Sequence, residues 1–170
     1  MINGFGTTGE WWPADTEVLA NKRRVLRCGV RRDAVRVPYD IGVTAHAMLR
    51  WHGAAVGDVL AHRRQYVYFL ISPETALVWD ALRQATACTG VPLRLIGHGG
   101  IVLLPAHRRE RMVRWLHGPG NGPNPSTVNV LTAISHANTR LLLRGQQHVQ
   151  DELNTALTRQ AWRTVAGRQP

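Results

Sequence analysis

The chain is short of lysine, cysteine and acid: one lysine (Lys22) stands against twenty arginines, and there are two cysteines and eleven acidic residues in 170. Each shortage excludes something. Cys28 and Cys88 lie 60 positions apart, with no CxxC and no closely spaced Cys/His set, so no structural zinc site is expected. Both are expected as reduced, partly buried thiols. No apolar run approaches the ~20 residues that span a bilayer. The stretch Met1–Gly9 lacks the charged start and apolar run of a signal peptide. The expectation is a soluble, cytoplasmic protein with no membrane partner.

Scarce acids also limit the chemistry. No Asp-x-Asp occurs, and the adjacent pair Asp151-Glu152 falls on a helical pattern, where neighbouring side chains point about 100° apart. A two-metal site of the polymerase type therefore lacks ligands. No G-x-S-x-G and no P-loop pattern is present. The Gly97–Gly100 run lacks the spacing and following helix of a dinucleotide fingerprint. Neither a metal nor another cofactor is expected, and the chain leans away from being an enzyme.

A hydrophobic fraction of 44% is enough for a true core. The formal net charge is +10 and the pI about 11.3. Charge of that size favours an anionic partner such as nucleic acid or an acidic protein. A GC-rich coding sequence produces the same Arg, Ala and Val bias with no partner at all.

Composition divides the chain into a leader (1–32), a core domain (33–117), a Gly/Pro linker (118–125) and a C-terminal helical segment (126–166). In the leader, Asp15 is placed to cap a helix over Thr16–Arg27. The core reads strand, helix, strand, strand, helix, strand, strand, strand. Asp33-Ala34-Val35-Arg36-Val37-Pro38 alternates. Asp40 opens a helix to Trp51. Val56–Ala61 and Tyr66–Ile71 are strands about the turn His62-Arg63-Arg64-Gln65, and Ser72-Pro73 starts a second helix. Leu93–Ile96 and Ile101–Leu104 flank a glycine turn and read as a hairpin, and Met112–His117 is a last strand. Tight strand-to-strand connections demand antiparallel pairing. The fold class is α+β: a mostly antiparallel sheet with two packed helices, plus the C-terminal helical segment.

Three basic clusters stand out: residues 22–36 (Lys22, Arg23, Arg24, Arg27, Arg31, Arg32 and Arg36), the turn Arg63-Arg64, and Arg108, Arg109, Arg111 and Arg114. Arginine grips phosphate bidentately and stacks on bases, so these are the candidate nucleic-acid contacts. Solvated faces are the plain alternative. His98 and His107 flank one strand and are the candidate ligand pair. Beyond the linker, Leu131, Ile134, Leu141, Leu142, Leu153, Leu157 and Trp162 form a helical apolar stripe, the candidate self-association surface. Gly145 is a weak point in that helix.

Gly97-x-Gly99-Gly100-Ile101-Val102-Leu103-Leu104-Pro105, then His107 and Trp115, together with Tyr68-Phe69-Leu70-Ile71-Ser72-Pro73, resemble motifs of the N-terminal domain of bifunctional DNA primase/polymerase proteins. The resemblance covers about residues 33–117. That family's acidic metal-binding motif has no counterpart here, so the resemblance implies a non-catalytic derivative of the fold. The leading expectation is a non-enzymatic nucleic-acid-binding protein that self-associates through its C-terminal helix. The alternatives are an assembly module with no nucleic-acid role, and an enzyme with a site near His98 and His107.

Overall fold

Tyr66-Val67-Tyr68-Phe69-Leu70-Ile71 is dense in β-branched and aromatic residues, which suit a pleated surface packed on both faces. This segment is the middle strand of the protein. The computed structural model describes residues 16–20, 23–73, 75–106, 110–119 and 125–166, and side chains as far as residue 158. In chain order the elements are β1 (Thr16–Val18), β2 (Arg24–Arg27), β3 (Asp33–Pro38), α1 (Tyr39–Trp51), β4 (Val59–His62) and β5 (Tyr66–Ile71). A 3₁₀ turn (Thr75–Val78) and α2 (Trp79–Ala85) follow, then β6 (Arg94–Ile96), β7 (Ile101–Leu103), β8 (Val113–His117) and α3 (Thr127–Ala166).

The strands form a five-stranded sheet, β6-β3-β5-β4-β8, and a three-stranded sheet, β1-β2-β7. Their pairings are antiparallel. The class is α+β, with helices and a second sheet packed on the first.

Alternation along β3 and β5 assigns the two faces of the larger sheet. Val37 and Val67 face α1, which comes so close at Gly42 that a Cβ there would overlap Val67 and crowd Val37. Ile41, Ala45 and Leu49 are buried on the helix. On the opposite face, Ala34, Leu60, Leu70 and Val113 pack with Leu26 of β2 and with Val102 and Leu104. At roughly 1.5–3 kcal/mol for each fully buried large aliphatic side chain, this layer is a substantial part of the driving force.

Two local expectations are corrected. Residues 16–27 form no helix: β1 and β2 pair with each other, Thr16 opposite Leu26, and β2 continues onto β7. Val18, Leu19, Val25 and Leu26 satisfy a helical period, but sheet pairing with distant β7 buries Val25 and Leu26 completely. Tertiary burial overrides the local pattern. The glycine segment 97–100 is no β-hairpin either. Its turn is closed by the Gly100 N–H donating to the Gly97 carbonyl at 2.9 Å. However, β6 pairs with β3 and β7 with β2, so the turn passes the chain from one sheet to the other.

The chain divides into two compact units, Met1–Ala137 and Asn138–Pro170. The division falls inside α3, which runs without a break through Gly145, and not at the Gly/Pro segment 118–125. In the first unit, Val130, Leu131, Ile134 and Ala137 are buried, and the Cys88 thiol donates to the Leu131 carbonyl at 3.0 Å. In the second, residues 142–158 are exposed throughout. Among the described residues no helix is long and apolar enough to cross a membrane.

Candidate nucleic-acid interface

Strand register builds the site. Across the larger sheet, Arg94, Arg36, Tyr68, Leu60 and Trp115 stand in one row on β6, β3, β5, β4 and β8. One step nearer the β4–β5 turn stand Pro38, Tyr66, His62 and Val113. Tyr66 and Tyr68, two residues apart on the central strand, therefore share a face with Arg36. The Arg36 guanidinium lies 4.5 Å from the centre of the Tyr66 ring, a cation–π arrangement. It also donates a hydrogen bond to the Tyr68 hydroxyl. Burial pushes the Tyr68 phenol up, against the opposing pull of Arg36. The indole N–H of Trp115 is buried without a hydrogen-bond partner among the described residues.

The β4–β5 turn continues this surface. Arg63 and Arg64 both adopt positive φ, +50° and +54°. The Gln65 N–H donates back to the His62 carbonyl at 2.9 Å, closing a turn of the type I′ kind. Such turns favour Asn-Gly; each arginine in the left-handed region costs about 1–2 kcal/mol. The Arg63 N–H donates to the Met112 carbonyl at 2.7 Å, which places Arg111 beside the turn. Arg63, Arg64, Arg94 and Arg111 form no ion pair among the described residues. Glu110 accepts a hydrogen bond from the Ala106 N–H. Burial lowers the His62 imidazole, as does Arg63, while Glu110 acts in the other direction. Asp40 is also at this end, in the first turn of α1 on the other side of the sheet.

The opposite end of the sheet has a different charge balance. Arg32 is ion-paired with the buried Asp58 carboxylate. Arg27 is paired with Glu17 at 2.6 Å on an exposed surface. Asp33 is 1% exposed, and one carboxylate oxygen has no partner among the described residues. Burial raises its pKa, opposed by hydrogen bonds from the Gly29 and Thr75 amides.

The three expected basic clusters are thus rearranged. Arg63, Arg64 and Arg111 come together. Arg23 and Arg24 lie at the end of β2 away from the glycine turn, where the Leu104 N–H bonds the Arg24 carbonyl at 3.0 Å. Arg27, Arg31 and Arg32 lie at the other end, beside the glycine turn, where the Cys28 N–H bonds the Gly100 carbonyl at 2.8 Å. Arg108, Arg109 and His107 fall outside the described residues. His98 is exposed on the glycine turn, at the opposite end of β7 from Ala106. Among the described residues no group of three or more His, Cys, Asp or Glu side chains is placed to hold a metal ion.

The expected self-association set also divides. Leu131 and Ile134 are wholly buried in the first unit and are unavailable to a second chain. Leu141 is half-buried, while Leu142, Leu153 and Leu157 are exposed. The side chain of Trp162 lies outside the described residues.

Sequence reasoning counts Arg36 in the first basic cluster but misses that register sets it between Arg94 and Tyr68 and next to Tyr66, while Tyr68 and Trp115 pack against the buried cluster between the sheets. The Tyr-x-Tyr spacing in the β-branched and aromatic segment 66–71 is the available signal. Only cross-strand register reveals its arginine neighbours. In comparison with known proteins, no family model, curated protein or solved structure matches the chain.

Proposed function

We propose that this protein binds nucleic acid at the β4–β5 end of its larger sheet. Arg63, Arg64 and Arg111 grip phosphates, and the Arg36–Tyr66 stack borders the strand. The observation that carries this reading is the Arg63-Arg64 turn. Two consecutive arginines occupy a conformation that Asn-Gly would fill at lower cost, at the end of the sheet where Arg94 and Arg111 form no ion pair among the described residues. Backbone strain of this kind concentrates at sites of function. Phosphate binding supplies the compensating role, because arginine presents a planar fork of donors. Aromatic residues beside the cations suit a single strand, whose unpaired bases have open faces for stacking. The reading is compatible with a non-catalytic derivative of the primase/polymerase N-terminal domain.

Titration of labelled single-stranded and duplex DNA at two salt concentrations tests it. The expected result is measurable binding at low salt that weakens steeply as salt rises. Absence of binding at low salt overturns the proposal.

A second reading has its own support. Leu142, Val149, Leu153 and Leu157 are 61%, 64%, 52% and 55% exposed, and they fall within about 80° of one another around α3 at 100° per residue. Isolated helices are marginal in water, and tertiary packing of an apolar face supplies most of their stability. On this reading the stripe pairs with a second copy of the chain, with or without nucleic acid. Light scattering of the full chain and of L153E/L157E distinguishes the two: dimer loss in the variant supports pairing, and a monomeric parent protein contradicts it.

A further inference from the structure

His46 is buried on α1, and its Nε2 atom has no hydrogen-bond partner among the described residues. The ring of His117, at the end of β8, lies 5.9 Å from it, centre to centre, tilted by 54°. β8 is an edge strand, held to the larger sheet by β4 alone. Its register with β4 is irregular at that very end, between Val59 opposite His117 and Leu60 opposite Trp115. The imidazole pair therefore joins a helix to the irregular end of an edge strand.

We propose that the His46–His117 contact is an acid-sensitive latch that closes the β8 edge when neutral and releases it when His46 takes up a proton.

The charges around His46 have one sign. Arg50 stands one turn along α1, and His117 faces it from β8. Arg114 of β8 is engaged with the Tyr39 hydroxyl at 2.9 Å. On the strands beneath α1, β5 offers only apolar side chains on that face, and the acid of β3, Asp33, is at the far end with the Gly29 and Thr75 amides. No carboxylate is among the charges acting on His46. A proton there meets burial first, then repulsion from His117 and Arg50, and all three lower its affinity.

The sign of the pH dependence follows. In the open form His46 titrates near its ordinary value of 6.5, and in the closed form lower. Above 6.5 both forms are neutral and the latch is fully effective. Below it the open form binds a proton that the closed form refuses, so closure weakens as pH falls toward the lowered value. One histidine changes the opening equilibrium by at most about tenfold per pH unit across that interval.

Hydrogen exchange of the full chain at pH 7.5 and 5.5, corrected for intrinsic rates, tests the proposal. The expected result is several-fold faster exchange at Val113–His117 at the lower pH, with β3 and β5 amides changing less. H46Q should remove the difference. Equal β8 protection at both pH values, or an unchanged acid response in H46Q, overturns the latch. Should H46Q fail to fold, NMR titration of the imidazoles in the natural protein decides. His46 titrating below 6.5, together with loss of β8 cross-strand contacts, supports the proposal, and titration at or above 6.5 overturns it.

Discussion

The two ends of the five-stranded sheet carry arginines in opposite circumstances. At the Asp33 end, Arg32 meets Asp58 and Arg27 meets Glu17, so these cations have partners within the fold. At the Arg63 end, Arg63, Arg64 and Arg111 stand beside Arg36 and Tyr66, and Glu110 is engaged with a backbone amide. A net charge of +10 says nothing about this difference. Partners decide whether an arginine serves the fold or is available to a ligand.

Substitutions at the two ends should therefore fail in different ways. The largest effect is expected at the Asp58 end. Asp58→Ala leaves Arg32 partly buried without its counter-charge and should cost about 3 kcal/mol in denaturant unfolding. A loss under about 1 kcal/mol would mean that the pair is not structural. The next effect has the opposite sign. R63N/R64G should stabilise the fold by about 1–2 kcal/mol, because Asn-Gly tolerates the left-handed conformation better than two arginines, while weakening nucleic-acid binding. Stabilisation with unchanged binding would remove the functional reason for the strain.

A smaller, pH-dependent effect belongs to Asp33. Burial raises its folded pKa above 3.8, so its favourable contribution is complete below 3.8 and disappears as pH rises through the folded value. The stability of the natural protein relative to D33N should therefore rise as unfolding is measured from pH 7 down toward pH 4. A flat difference would contradict the assignment. The smallest effect lies outside the sheet. L153A/L157A should change thermal stability of the monomer by less than about 0.5 kcal/mol, because both side chains are exposed.

Local pattern made much of the fold legible. β3, β5, β8 and α1 are each announced by alternation, β-branched residues or a helical period, and antiparallel pairing follows from short connections. What was hidden is non-local. Leu26 packs beneath Leu60 only because β2 pairs with β7, some 75 positions away, and that pairing turned an expected helix into a hairpin. The same effect scattered the first basic cluster. Arg24 and Arg31 are neighbours in sequence but lie at opposite ends of β2. Arg32 finds Asp58 across 26 positions. The Arg36–Tyr66–Tyr68 arrangement depends on register between β3 and β5, which neither segment encodes alone.

The central claim is that position, not charge count, makes the Arg63 end the binding surface. Two double variants that remove equal charge test it: R63Q/R64Q at one end and R27Q/R31Q at the other. Affinity for single-stranded DNA is measured as a function of salt. R63Q/R64Q should lose on the order of tenfold in affinity at moderate salt and reduce the salt slope by about 1.4, the value for two lost phosphate contacts, while R27Q/R31Q leaves both nearly unchanged. Equal losses from the two variants would show that binding follows net charge and would contradict the account.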